Sequence, residues 1–534
     1  MNNSKTSFLT SILITLGTIV GFFVGNYYTK RNMRFSGNNK IETILGIIEH
    51  QYVDTVNMQQ LVETAAVSIV NELDPHSALI PAEERQLITD KLEGSFSGIG
   101  VSFNMLSDTI LVINVIHKGP AEKAGILPYD RIITIDDSVF AGKNLSSYAI
   151  RHTLRGKKNS KVKLGIKRGD SPELLYFDVM RGDVPNYSIK VVNNVGNGIG
   201  YIKIEDFART TYNEFITAIA KLGKDGCGKF IIDLRGNSGG YLDAAIRTIN
   251  EFMPPNRPIV HVKGKSFNDY ESYANGSGSC HNAPLVVLVD EMSGSASEIF
   301  AGAIQDNDRG LIIGRRTFGK GLVQAPILLG DGSELRLTIA RYYTPSGRCI
   351  QKNYELGHSD EYHKDIENRF YHGEFDSADS IKTNDLPEYK TLGGRTVYGG
   401  GGIMPDIFIP RDTSNITSYY SAAMRLGLLS RFALEYSDSH KQKLSSFKTF
   451  NELHAYLKTQ PLLQTFVDFA EKQGLKKRPT LIRISEKLLE TALQAYIVHN
   501  FFDESEFYAI MLSDDPSLNR AIREINNDTW RPKL

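Results

Sequence analysis

From Gly200 to Tyr343 short β-branched runs take turns with helical stretches: GYIKI, a helix over 212–222, KFIIDL, a helix over 242–252, PIVHVKG, PLVVLVD, a helix over 296–305, then GLIIG. Strands that alternate with helices in this way form crossover units, in which each helix returns the chain to lay the next strand beside the last. A buried sheet flanked by helices is therefore the expected centre of the molecule, an α/β core.

With 534 residues, at roughly 150 per domain, the chain has room for three or four folding units. Upstream of the core, 39–91 shows helical periodicity through Ile41, Ile44, Leu45 and Ile48, then Leu61, Ala65 and Ile69. The L-D-P-H-S run at 73–77 interrupts it. From 94 to 185 the texture changes to short β-branched runs between glycine turns, with one helix near 146–154. The stretch 353–396 is polar and reads as an irregular excursion, and from Ser418 the pattern is helical again. The expected organisation is an N-terminal segment over 1–38, a helical domain over 39–93, a β-rich domain over 94–185, the core over 186–411 and a helical domain over 412–534.

No residue charged at neutral pH lies between Lys5 and Lys30, and 8–28 is apolar and just long enough, as a helix, to cross about 30 Å of hydrocarbon. No A-x-A site follows, and Tyr27 and Tyr28 sit where interfacial aromatics sit, which favours an uncleaved signal anchor. Lys plus Arg and Asp plus Glu both number 61, so no global positive field recommends nucleic acid as a partner. The 3 cysteines lack C-x-x-C spacing, which argues against a disulfide framework or a zinc ribbon. The 12 histidines form no H-E-x-x-H, so no metal site and no cofactor are expected.

Three segments could carry chemistry. In PLVVLVDEMSGSASEIFAGAIQD a strand feeds through Gly294 into a helix of small residues, and Ser295 sits at the turn. Free N–H groups and the dipole at such a helix start can stabilise an oxyanion, with Ala296 N–H as one donor. Taken alone, S-x-x-E describes a helix cap, with Glu298 closing a capping box on Ser295. In RRTFGKGLVQ, Lys320 lies between Gly319 and Gly321, and the 25 residues from Ser295 allow one helix and one returning strand. A crossover unit would bring both to neighbouring strand ends. A buried lysine loses pKa and can take a serine proton, and the Gln324 amide oxygen could hold its amine. Taken alone, G-K-G is a solvated turn. In KFIIDLRGNSGG, Gly239 and Gly240 expose N–H groups after a strand, and either could supply a second oxyanion donor. The serine segment lacks G-x-S-x-G, so no α/β-hydrolase elbow is present. His76 and His281 read as structural.

In the β-rich domain, FSGIGVSF places Gly98, Ile99 and Gly100 before a strand opening at Val101. Such a turn makes a nest for a terminal carboxylate, and the strand edge can pair with an extended peptide. With G-P-A-E-K-A-G-I at 119–126, this resembles a PDZ domain.

Together L-D-P-H-S, the G-I-G-V block, D-L-R-G-N-S-G-G, G-S-A-S-E-I, T-F-G-K-G-L-V-Q, Y-Y-T-P-S-G-R and G-G-I-M-P-D resemble the carboxyl-terminal processing, or tail-specific, serine proteases, over about 41–410. The resemblance implies a crotonase-like or ClpP-like core and a Ser-Lys mechanism with Ser295 as nucleophile, Lys320 as base and Gln324 in support. It implies an oxyanion hole of Gly239 or Gly240 with Ala296, substrates with unstructured C-terminal tails, and work outside the cytoplasm. With the N-terminal segment, that is an inner-membrane anchor and a periplasmic body. S-G-S-A-S stands here where the family has S-A-S-A-S. The resemblance says little about 353–396 or the tail from Ser418, which could pair protomers or dock a partner. The competing readings are a catalytically silent PDZ scaffold, which loss of the serine or lysine would mark, and an acyl-CoA enzyme of the crotonase type, which needs neither a PDZ block nor the pair.

Overall fold

The computed structural model describes residues 40–532, apart from 107–108, 117, 144, 146, 170, 172, 267 and 384, together with residues 15 and 17–22. Of the expected anchor at 8–28, residues 15 and 17–22 are described and the others lie outside the described residues. Among those described, no helix is long and apolar enough to cross a membrane. The chain divides into two units, one ending at Leu73 and one starting at Asp74. The first holds helices Lys40–Gln51 and Met58–Asn71, the second of them capped by Asn57, whose side chain accepts the Gln60 N–H at 3.1 Å.

The centre of the second unit is a sheet in the order Ile189–Asn194, Ile199–Ile204, Lys229–Asp233, Leu285–Val289, Leu311–Gly314, Ile407–Phe408. The first pair is antiparallel and every later pair is parallel. Its four central strands are buried on both faces. Phe230, Ile232, Val287 and Val289 join a core with Phe215, Phe252 and Phe300 from helices and loops on one side. Ile231, Val286, Leu288 and Ile313 meet Leu518, Ala521, Ile525 and Trp530 on the other. The second layer comes from helix Pro516–Asn526 and its sequel, so the end of the chain completes the core sheet. No alternation survives in a strand covered twice, which is why these runs read as continuously apolar.

A second sheet stacks strands Ala78–Ile80, Glu334–Tyr343, Pro258–Lys263 and Tyr270–Tyr273, with Leu322–Leu328 also paired to Glu334–Tyr343. The β-rich region forms a sheet in the order Val101–Leu106, Thr109–Val115, Arg131–Ile135, Lys161–Lys167, Leu175–Met180, closed at its base by the ribbon of Ser95–Gly98 with Gly182–Pro185. The stretch expected to be irregular, 353–396, instead carries helix Ser359–Tyr371 and a hairpin of Glu388–Lys390 with Thr396–Tyr398. Its polar composition reflects ion pairs: buried Arg369 and Arg316 both bind the Glu374 carboxylate, at 2.8 and 2.6 Å.

Candidate active site

Strand Leu285–Val289 ends at a turn that Asp290 organises, accepting N–H groups from Gly236, Met292 and Ser293 at 2.9 to 3.1 Å. Ser295 follows, at the N-cap of helix Ala296–Asp306, with φ 55° and ψ −116°. A residue with a Cβ holds such a conformation only when its surroundings over-determine it, and strain of this kind clusters where a nucleophile must be presented. The surroundings do so here. Gly294 N–H donates to the Asn237 carbonyl at 2.9 Å, and Ser293 O accepts Phe318 N–H at 3.0 Å. The neighbouring serines are spent on packing. Ser293 Oγ donates to the Leu234 carbonyl at 2.8 Å and Ser297 Oγ to the Asn237 carbonyl at 2.9 Å, and both residues are fully buried. Ser295 alone of the three retains exposure.

Lys320 lies in the loop after strand Leu311–Gly314, the parallel neighbour of the serine strand. The expected crossover thus delivers serine and lysine loops to the same end of adjacent strands. Gly319 and Gly321 are there because the backbone passes close to its neighbours. A Cβ on Gly321 would stand 2.9 Å from Gln351 N, and one on Gly319 would stand 3.1 Å from Lys352 Cβ at a φ of 91°. Lys320 Nζ donates to Gln324 Oε1 at 2.8 Å. Burial, aided by the positive charge of Arg336, lowers its pKa from 10.5 to about 8.

Glu298, fully buried on the helix that follows Ser295, joins the two loops. One carboxylate oxygen accepts Thr317 Oγ1 at 2.5 Å and Gly319 N–H at 2.8 Å; the other accepts Ser295 N–H at 2.9 Å and Lys320 N–H at 2.8 Å. The cap that S-x-x-E predicts therefore exists, and the same carboxylate reaches across to the lysine. Burial raises its pKa to about 7 against the pull of these hydrogen bonds. The lysine carbonyl accepts the Tyr342 hydroxyl, a contact that the Y-Y-T-P-S-G-R run does not by itself specify.

Of the two oxyanion candidates in the glycine pair, Gly239 touches Ser295. A Cβ there would stand 2.7 Å from Ser295 Cβ and 3.0 Å from Ala296 N. Its N–H, however, donates to Asn237 Oδ1 at 2.8 Å, because Asn237 closes a local Asx turn. Gly240 faces elsewhere, its Cβ position lying 2.3 Å from the Phe207 carbonyl. Among the described residues Ala296 N–H has no protein acceptor.

In the β-rich region, strand Val101–Leu106 is the edge of its sheet and faces helix Ser147–Leu154 across a groove of about 250 Å³. Gly98, Ile99, Gly100 and Val101 all line it, and Gly100 adopts φ 79°. The Ile99 side chain is buried in the domain core and its carbonyl accepts Ala121 N–H at 2.7 Å. Arg151 and Arg155 also line the groove; Arg155 is paired with Asp90 at 3.1 Å and lies over the Phe96 ring, and Arg151 adds a positive charge that the glycine motif does not announce.

The comparisons with known proteins divide along the same lines. Residues 97–179 match the PDZ domain, 198–359 match peptidase family S41, and 419–503 match a family of unknown function. The chain is 33% identical over 317 residues to the carboxy-terminal processing protease CtpB of Bacillus subtilis, a stretch covering 59% of this chain and 65% of that one. It is 36% identical over 309 residues to a carboxy-terminal-processing protease of Bartonella bacilliformis, covering 57% of this chain and 70% of that one. The chain belongs to the carboxy-terminal processing serine proteases of family S41.

Proposed function

We propose that this chain is an envelope-anchored endopeptidase that captures the unstructured C-terminal tails of proteins in its PDZ groove and cleaves them by a Ser-Lys mechanism. Ser295 Oγ attacks the scissile carbonyl while the neutral Lys320 amine takes its proton. The same Nζ, now an ammonium, protonates the leaving amine; a water then attacks the acyl-enzyme with Lys320 again as base. Ala296 N–H stabilises the oxyanion, joined by Gly239 N–H when it leaves Asn237 Oδ1. The observation that carries the reading is Glu298, whose single carboxylate ties the main chain of the strained serine to that of the buried lysine. The uncharged run at 8–28 supports the anchor and, with it, placement of the body outside the cytoplasm.

Tail capture follows from the edge strand, which offers main-chain hydrogen bonds to an added strand, and from Arg151 at the groove, whose charge suits a terminal carboxylate. Incubation of the purified protein with an unfolded substrate, as free acid or amidated tail, tests both halves, with fragments identified by mass spectrometry. The free acid is cleaved at least tenfold more efficiently, and Ser295→Ala yields no fragments. Equal rates on the two tails would remove the carboxylate from the account, and cleavage by Ser295→Ala would remove the nucleophile.

A further inference from the structure

The L-D-P-H-S run, whose histidine reads as structural, lies at the lysine. Gln324 has two neighbours for its amide: Oε1 accepts Lys320 Nζ at 2.8 Å, and Nε2 donates to the main-chain carbonyl of His76. A side-chain amide can be turned end for end, and its orientation is set by what faces it. A carbonyl can only accept, so the His76 carbonyl claims the amide nitrogen. Oxygen is thereby left for the lysine.

The His76 carbonyl is held in turn by Asp74. Its Oδ1 accepts His76 N–H at 3.0 Å, Ser77 N–H at 3.1 Å and Thr338 Oγ1 at 2.9 Å, and its Oδ2 accepts Ser77 Oγ at 2.6 Å. Thr338 is the residue paired directly across from Gln324 in the hairpin. Asp74 thus clamps the turn onto the strand opposite the glutamine it must orient. Burial opposes its charge, yet the hydrogen bonds outweigh it and keep the carboxyl below its ordinary range. The His76 ring is fastened separately, its Nε2 lying 2.7 Å from the Tyr362 hydroxyl. Burial and the Lys320 charge depress its pKa to about 3, so His76 adds no charge beside the lysine.

We infer that Asp74 is a positioning residue for the proposed reaction: it fixes the 74–77 turn so that the His76 carbonyl takes the Gln324 amide nitrogen and presents Gln324 Oε1 to Lys320 Nζ. The inference rests on the Ser-Lys reading. The charged groups acting on Lys320 are Arg336 from the hairpin, Asp74, and Glu298 from the nucleophile helix.

The test is a double-mutant cycle read at the plateau of the pH-rate profile. Asp74→Ala lowers kcat at least tenfold with KM within twofold of the parent, because the amide loses its orientation while the PDZ groove is untouched. In a Gln324→Ala background the same substitution costs less than twofold, since the residue it acts through is gone. Asp74→Asn keeps an oxygen for the three Oδ1 contacts, so it holds kcat within about threefold while losing the negative charge that faces Lys320. Its profile therefore shifts to lower pH, a displacement that partial unfolding would not produce. Asp74→Ala within twofold of wild type, losses that multiply with Gln324→Ala, or an unmoved profile in Asp74→Asn each overturn the inference. If Asp74→Ala does not fold, Thr338→Val takes its place in the cycle with the same expectation of non-additivity. Lys320→Arg separates the two levels. Its retaining activity defeats the Ser-Lys reading itself, whereas an inactive Lys320→Arg beside a neutral Asp74→Ala defeats only the role of Asp74.

Discussion

Replacing Lys320 by Met makes the protein more stable at neutral pH while abolishing its activity. The folded site holds the lysine at about 8 where the unfolded chain holds it at 10.5. At pH 7 both states carry the proton, but the folded state carries it at a cost that corresponds to about 3 kcal/mol, each tenfold in binding being worth about 1.4 kcal/mol. Met is of similar length and brings no charge. It gives up the Nζ contact to Gln324 Oε1, which offsets about 1 kcal/mol. The net gain at pH 7 is about 2 kcal/mol. The sign with pH follows from proton binding: between about 8 and 10.5 the unfolded chain binds the lysine proton and the folded site does not. Wild-type stability therefore recovers as pH climbs through that window, and the advantage of Lys320→Met falls to about zero by pH 10. Urea midpoints of both proteins at pH 7 and pH 10 measure this directly. A Lys320→Met protein that is less stable at pH 7, or whose advantage does not change with pH, refutes a lysine whose pKa burial lowers.

The remaining expectations concern neighbours of the same site. Gly239→Ala places a methyl 2.7 Å from Ser295 Cβ and 2.9 Å from the Gly294 carbonyl at a φ of 110°, so kcat/KM falls at least about 100-fold; wild-type turnover would show that the glycine loop does not abut the nucleophile. Arg348→Met strands Asp306 at the end of the nucleophile helix, where the two form a 2.7 Å ion pair with neither side chain exposed. Loss of one partner costs about 3 to 5 kcal/mol, and an unchanged urea midpoint would contradict it.

What could be read from the chain depended on whether a residue's role is local. The placement of Ser295, Lys320 and Gln324 could be read because the strand, the glycine pair around the lysine and the i, i+4 spacing each fix geometry within a few residues. Glu298 was visible only as the partner of a cap, since its bonds to Gly319 and Lys320 cross 21 and 22 positions of sequence. Asp74 and His76 lie further still, 264 and 248 positions from Thr338 and Gln324, and nothing in L-D-P-H-S announces that reach. The same distance hides helix Pro516–Asn526. Its apolar residues Leu518, Ala521 and Ile525 predict an amphipathic helix but not the sheet face they cover. Polarity misleads at 353–396, where charged residues such as Arg369 are buried in paired form, giving helix where composition suggests loop. Gly240 illustrates the limit of motif reasoning, for two adjacent glycines answer to different neighbours, one to Ser295 and one to Phe207.

The central claim is that Ser295 attacks with Lys320 as its base, and labelling by a small serine-directed acylating probe, mapped by peptide mass spectrometry, tests it most directly. The adduct is predicted on Ser295, forming faster as pH rises toward about 8 and not forming in Lys320→Arg, whose guanidinium keeps its proton. An adduct on Ser293 or Ser297, or labelling of Lys320→Arg at the wild-type rate, would contradict the account.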